Sequence, residues 1–235
     1  MFEQVMYPQS LKPAALDLML AKGWFRMGQS IFTTEFVSFN TCIYRTIWLR
    51  HVLKNYTDSI SFNNLKKRNK SFQISIQKAS ITSQHEALFE MYKKGIHFET
   101  AQSLEQLLYG YVFIPANIYN TYEINIYNHH ELIACSYFDI GHKSAEGILA
   151  YYNPLYKSNS LGRYLIYLQI EYCKANHFQY YYPGYFVPGF SHLDYKLKIG
   201  SNCLEFFIPE EAQWMPITAY EDAGIPIDFQ SYAFE

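Results

Sequence analysis

The stretch that most restricts the fold lies between Ala145 and Gly184, where two aromatic, apolar runs end at proline and flank a segment with helical periodicity. The first run, Ala145 to Tyr152, meets Asn153-Pro154. Pro154 lacks a backbone donor and biases the residue before it away from helix, so a strand ends there. Ser160 then offers an N-cap hydroxyl to a segment with Leu161, Leu165, Leu168 and Tyr172 at i, i+4, i+7 and i+11. That spacing predicts an amphipathic helix of about four turns, closing near Asn176. A third run, Phe178 to Tyr182, stops at Pro183-Gly184. Strand, helix, strand in this order predicts a right-handed crossover between parallel or splayed strands, and a helix N-terminus after a strand suits a carbonyl or phosphate group.

The rest of the chain reads as α+β. A helix is expected from about Leu11 to Lys22, started by Ser10 and Pro13 and ended at Gly23, followed by strand-like runs at Ser30 to Phe39 and Phe72 to Lys78. From about residue 81 the order is helix (Gln84 to Lys94), helix (Ser103 to Gly110), then strands near Tyr122 to Tyr127, Leu132 to Ile140 and Ala145 to Tyr152. Helices, an antiparallel meander and a crossover make the layout of an N-acetyltransferase-like (GNAT) fold, residues 81–235, preceded by a smaller α+β region, 1–80. There is no repeat or low-complexity tract to mark the boundary.

At 235 residues and 49% apolar, the chain can bury a full core. No eighteen-residue apolar run exists, and Met1 to Gln9 lacks a basic segment followed by an apolar one, so neither a membrane span nor secretion is expected. Cys42, Cys135, Cys173 and Cys203 are scattered singly without Cys-x-x-Cys, which signals no metal, no disulfide framework and a reducing cytoplasm. The eight histidines include one adjacent pair, His129-His130, read as a solvent-facing hairpin turn.

A net charge of −2 hides an asymmetry. Between Ile43 and Ser80 eight cations, including Lys66, Lys67 and Arg68, face the single anion Asp58, whereas Glu205 to Glu235 carries seven anions and no cation. A polyanion would meet the first segment and avoid the second. A solvated basic face balanced in space by the acidic tail is the other reading.

Tyr-Tyr-Asn-Pro (151–154), Ser-Leu-Gly (160–162), Tyr-Tyr-Tyr-Pro-Gly-Tyr (180–185) and Leu-Asp-Tyr-Lys (193–196), in this order, resemble the C-terminal domain of the arginyl-tRNA–protein transferases and their bacterial leucyl-transferring relatives. Gly23-Trp24-Phe25-Arg26-Met27-Gly28 looks like the family's Gly-Trp-Arg-Arg-x-Gly box, and Ser61 to Lys70 is similar to its basic Ser/Arg/Asn segment. The resemblance spans most of residues 16–208 and implies the same GNAT fold. It departs in three places. Phe32-Thr33-Thr34-Glu35-Phe36 stands where relatives carry a cysteine cluster suited to iron–sulfur or zinc, Asn153 stands where Asp is common, and Pro183 replaces a usual Leu. No cofactor is therefore expected, the family's iron–sulfur cluster included.

The resemblance implies aminoacyl transfer: the α-amine of a protein N-terminus attacks the ester carbonyl joining an amino acid to its tRNA. Arginine is the amino acid expected first, with leucine second. The acceptor is expected to begin with an acidic residue, and neither DNA nor membrane is an expected partner. The enzyme must align amine and carbonyl, accept a proton and stabilise the oxyanion. By resemblance the catalytic candidates are Tyr182, Tyr185, Tyr195, Lys196 and Asp139, and the substrate- or tRNA-binding candidates are Arg26, Lys66, Lys67, Arg68, Asn153, Ser160, Gly162 and Gly184. Tyr185 and Tyr195 can relay protons, and Lys196 can hold the charge of an acidic acceptor residue or of the tRNA end. Asp139 can accept a proton, and Arg26 can bind an acidic acceptor side chain. Each tyrosine has a core role as its alternative, Asp139 a turn cap, and Arg26 a surface position. An acyl-CoA N-acetyltransferase shares the fold but calls for a Gly-rich pyrophosphate loop that Asn159-Ser160-Leu161-Gly162-Arg163 does not supply. A noncatalytic tRNA- or protein-binding relative is the third reading.

Overall fold

A computed structural model describes residues 3–39, 42–96, 100–110, 117–189 and 193–220. The first part of the chain forms β1 (Glu3–Met6), α1 (Pro13–Ala21), β2 (Phe25–Met27), β3 (Ser30–Thr34), β4 (Phe36–Phe39), β5 (Cys42–Arg45), β6 (Ile47–Val52), α2 (Ile60–Arg68) and β7 (Gln73–Lys78). There follow α3 (Ser83–Lys93), α4 (Leu104–Tyr109), β8 (Thr121–Asn128), β9 (Glu131–Ile140), β10 (Ser144–Tyr152), α5 (Leu161–Ala175), β11 (Tyr180–Phe186), β12 (Leu204–Ile208) and β13 (Gln213–Pro216).

Local chemistry sets the helix starts. Pro13 opens α1, where a missing N–H costs nothing. The Thr82 side chain caps α3 in a reciprocal box with His85, and Ser103 accepts the Gln106 N–H at the start of α4. At α5 the expected hydroxyl cap is absent: Ser160 occupies the N-cap position with φ 52°, ψ 44°, and its side chain makes no cap bond. The Asn153-Pro154 turn is the cause. It leads into a short 3-10 segment, Pro154–Asn159, and Ser160 must reverse the chain's hand to enter the helix.

Eight strands form one sheet in the order β13-β12-β6-β11-β10-β9-β8-β7, antiparallel throughout except for β10 and β11, which α5 connects. This is the GNAT-like α+β arrangement of meander and crossover. β6 and β7 both precede residue 80 and lie within this sheet. Sequence periodicity missed β6 because Ile47, Trp48 and Leu49 are all buried, and a strand covered on both faces does not alternate.

Helices cover both faces. On one, Leu161, Leu165 and Ile170 of α5 and Phe62 and Leu65 of α2 pack on Phe138, Ala145 and Tyr181. On the other, Leu88 and Phe89 of α3 and Leu104 and Leu108 of α4 pack on Tyr137 and Tyr151, while Leu16 and Leu20 of α1 cluster with Phe25, Trp48 and Tyr182.

β10 and β11 pair only at Ser144–Tyr180, Ala145–Tyr181 and Glu146–Tyr182, then part. Both are irregular there: β10 bulges against β9 between Gly147 and Leu149, and β11 against β6 between Tyr181 and Gly184, the latter with φ 84°. β11 therefore continues past Pro183-Gly184 to Phe186, where a stop was expected. A bulge absorbs the proline, because its missing N–H falls where the ladder is already broken. Tyr181 sits in the crotch, its hydroxyl donating to Gln169 Oε1 of α5. Gly147 makes room: a Cβ there would lie 2.6 Å from that hydroxyl and 3.0 Å from Gln169 Oε1.

Gly147→Ala is expected to lower the unfolding free energy by about 1–3 kcal/mol, as overpacking does. Removing the colliding hydroxyl in Gly147→Ala/Tyr181→Phe should cost less than the sum of the single changes, a coupling read from urea midpoints.

Candidate active site

Lys196 reaches the opening between the parted strands from the 3-10 turn Asp194–Lys198. Its Nζ donates to the Tyr185 carbonyl at 2.8 Å, lies 5.6 Å from the Tyr185 ring centroid, and stands 3.4 Å from where a Cβ on Gly184 would be. The side chain is half-buried, and burial brings its ammonium down from the ordinary lysine range to about 8, with no charged neighbour contributing among the described residues. Lys196 is thus a cation held against a neutral carbonyl. Tyr185 packs edge-on to Trp48 at 5.0 Å, and burial raises its phenol.

The α5 side of the opening is aromatic. Tyr195 neighbours Tyr92 of α3 and Tyr152 of β10, and burial together with those two phenols raises its own. The Tyr92 and Tyr152 rings lie 6.1 Å apart, and Tyr152 covers Gly162 in the first turn of α5, where an added Cβ would meet its ring at 3.4 Å. Raised phenols stay protonated at neutral pH and act as donors. Tyr92 escaped the sequence reading; its place at helical spacing beside Phe89 was the available signal.

Arg26 and Asp139 take positions other than those expected. Arg26 is buried on the α1 side of the sheet, its Nη1 bonded to both Asp139 oxygens at 2.9 and 3.0 Å and to Thr121 Oγ1 at 2.9 Å. Nε donates to the Gly28 carbonyl at 2.8 Å, Nη2 to the Leu108 carbonyl, and the guanidinium covers the Tyr119 ring. Asp139 is fully buried and also accepts from Thr121 Oγ1 at 2.6 Å. Each neutralises the other, so Arg26 offers no free charge to an acceptor side chain and Asp139 no free carboxylate to a proton. The pair fastens β2 and α4 to the sheet. Beside it stands Glu146, a residue that the sequence reading missed: it directly opposes Asp139 across β9–β10, and its Oε1 accepts the Arg26 N–H at 3.0 Å.

Other candidates sort by position. Tyr182 is buried against Phe25 and Trp214 on the face away from Tyr195, with Arg50 near its hydroxyl, and burial pushes its phenol to about 12; it is a core residue. Asn153 is buried and caps the turn by accepting the Leu155 N–H at 3.0 Å, work that asparagine does as well as the family's aspartate. Lys66, Lys67 and Arg68 are exposed in the last turn of α2, suited to the helix C-terminus. Arg68 donates to the Ser158 carbonyl at 2.8 Å, and Asn69 and Asn159 bond each other's segments, so this basic turn lies against the loop leading from Tyr152 to Ser160. Arg45 and Arg50, by contrast, pair with Glu210 and Glu205. Arg45 and Arg50 are thus balanced by acidic residues of β12 and the turn after it, while the basic turn of α2 is left open; the acidic residues from 221 onward lie outside the described residues.

A family profile described as "Arginine-tRNA-protein transferase, C terminus" matches residues 84–204, more than half of the chain and all of the parted-strand site except the N-terminal contributions. The chain belongs to that family. The transferase is 28% identical over 196 residues to an aspartate/glutamate leucyltransferase of Helicobacter hepaticus, covering 81% of this chain and 78% of that protein. Enzymes of the same name from Leptospira interrogans and a Shewanella species are 24% and 26% identical, covering 74% and 79% of their lengths and 81% and 82% of this chain. Family membership makes the protein an aminoacyltransferase that uses aminoacyl-tRNA. Among solved structures, FemX aligns with TM-score 0.45 and 7% identity over 74% of this chain and 60% of that one, a likeness too slight to carry an argument.

Residues 32–36 of the transferase end β3 and begin β4 with no thiol or imidazole among them, so they offer no such ligand to the metal or cluster that the resemblance implies at this place. The described cysteines, Cys135, Cys173 and Cys203, are buried singly elsewhere. Among the described residues no helix is long and apolar enough to cross a membrane.

Asp139→Asn leaves Arg26 buried without a counter-charge and is expected to destabilise the transferase by about 3–5 kcal/mol in urea unfolding. Lys196→Met should do the opposite. A lysine depressed to about 8 penalises the fold below that pH, and half-burial sets the penalty at about 1–2 kcal/mol. The gain over wild type should be full at pH 7 and fade as pH rises above 8 towards the unfolded lysine value.

Proposed function

We propose that this transferase moves leucine from leucyl-tRNA to the N-terminal α-amine of proteins that begin with aspartate or glutamate. The observation that carries the reading is Lys196, an ammonium kept beside the parted strands against a neutral carbonyl and, among the described residues, short of an anion. An acidic first residue supplies that anion. The pairing is charge-assisted in a partly dry site, where such bonds are strongest.

Leucine replaces the arginine expected from the sequence. Relatives over most of the chain's length are named aspartate/glutamate leucyltransferase. The rings of Tyr92, Tyr152 and Tyr195 support the same choice: among the described residues no carboxylate contributes to the raised Tyr92 and Tyr195 phenols. A guanidinium entering beside Lys196 would meet a like charge and no partner, whereas a leucyl side chain asks only for apolar contact.

The ester is already activated, so the work is alignment and charge stabilisation. Where β10 and β11 part, backbone donors on their facing edges are released from pairing and can meet the oxyanion. Tyr185 and Tyr195, both protonated at neutral pH, donate to the carbonyl oxygen or the departing ribose oxygen. Lys66, Lys67 and Arg68 take the tRNA backbone, which the loop at Ser158 to Ser160 leads towards the opening.

Radiolabelled leucine and arginine, each carried on its tRNA, are to be offered with peptides beginning with Asp, Glu or Ala. Leucine should appear on the acidic peptides alone. Lys196→Ala should lower kcat/KM by about 30-fold or more, as losing one partner of a desolvated ion pair does. Lys66→Glu/Lys67→Glu should raise KM for tRNA with little change in kcat. Arginine transfer at a comparable rate, or equal transfer to the Ala peptide, would sink the reading.

A further inference from the structure

The Arg26 cluster contains one carboxyl that its structural work does not use up. Glu146 is 3% exposed, and while Oε1 accepts the Arg26 N–H at 3.0 Å, Oε2 is buried without a hydrogen-bond partner among the described residues. Its place in the chain is singular. It forms the last β10–β11 pair, with Tyr182, and the next residue, Gly147, begins the bulge at which the strands separate. A buried carboxyl oxygen without a donor is costly, and packing does not require it: glutamine would keep the Arg26 bond and add a donor.

We propose that Glu146 is the general base of the transfer, its Oε2 taking the proton from the acceptor's α-ammonium at the point where β10 and β11 part. The inference rests on the aminoacyl-transfer reading and deepens it by naming the base. The step balances. The ammonium gives one proton to Glu146, and the neutral nitrogen forms the new C–N bond. As the tetrahedral adduct collapses, the ester C–O bond breaks and the departing ribose oxygen takes a second nitrogen proton. Glu146 returns its proton to solvent after product leaves.

The surroundings suit the task. Asp139 opposes Glu146 from β9, Arg26 lies over it from β2, and Tyr119 and Tyr181 are close enough to feel its charge. Burial first and the Asp139 charge second raise the carboxyl to about 8, against the smaller opposing pull of Arg26. A free α-amine titrates at about 7.7–8.0, in the range to which burial and Asp139 raise this carboxyl, so the transfer of a proton between them is not strongly uphill. Lys196, held against the Tyr185 carbonyl, takes the acceptor's side chain in this scheme and leaves its amine to Glu146.

Leucyl transfer to an Asp-initiated peptide by wild type, Glu146→Gln and Glu146→Asp, measured from pH 6.5 to 9.5, tests the assignment, with thermal unfolding of each variant alongside. Glu146→Gln should unfold at the wild-type temperature or above and lose about 100-fold or more in kcat/KM at pH 7. The deficit should shrink at least tenfold by pH 9.5, where the amine is already neutral. Glu146→Asp should recover part of the pH 7 rate because it keeps an ionisable group. A deficit in Glu146→Gln that is the same at every pH, or equal losses in Gln and Asp variants that both fold, overturns the proposal. If Glu146→Gln does not fold, the Asp variant decides: an unmoved pH profile at full rate overturns it, and a displaced profile sustains it. Wild type that transfers no label under any condition would instead remove the aminoacyl-transfer reading on which the assignment stands.

Discussion

The parting of two parallel strands is the constraint on which the rest of the molecule depends. β10 and β11 hold together for three residue pairs and then separate at matched bulges, with Tyr181 tied to Gln169 through the space left by Gly147. Separation frees the facing edges of β10 and β11 from pairing with each other beyond Glu146 and Tyr182, and side chains from other parts of the chain gather beside the parted strands. Lys196 and Tyr195 do so from one short turn, and Tyr92 and Tyr152 complete the wall.

Two groups near the point where the strands part are placed against their own solvation. Among the described residues Lys196 is a cation without an anion, and Glu146 a carboxyl with an idle oxygen. Burial shifts both towards neutrality from opposite directions, the ammonium downward and the carboxyl upward, until both titrate near 8. Such opposed shifts in one region mark acid–base and charge-recognition chemistry more often than scaffolding. Arg26 and Asp139 show the contrast: equally buried, they satisfy each other and Thr121, and their work is to keep the N-terminal strands on the sheet.

Much of the fold was legible because it rests on local chemistry. Asn153-Pro154, the 3.6 period of Leu161, Leu165 and Leu168, and the Gly23 stop each act within a few residues and emerged as read. What sequence could not convey were the consequences of long-range pairing. β6 is buried on both faces and so carries no alternation, β11 runs through a proline because a bulge receives it, and Ser160 enters its helix from a left-handed turn. The same limit governed the site. Lys196 and Tyr195 were visible by resemblance. The mutual neutralisation of Arg26 and Asp139, 113 residues apart, and the idle oxygen of Glu146 arise only once β2, β9 and β10 are assembled.

The central claim is that Lys196 reads the acidic first residue of the acceptor. It is tested most directly by calorimetric binding of two peptides that differ only in starting with Asp or Asn, to wild type and to Lys196→Met. The account predicts that wild type prefers the Asp peptide by about tenfold or more, the scale of one charge-assisted bond, and that the preference vanishes in the variant while affinity for the Asn peptide is retained. A preference for Asp that survives in Lys196→Met would contradict it.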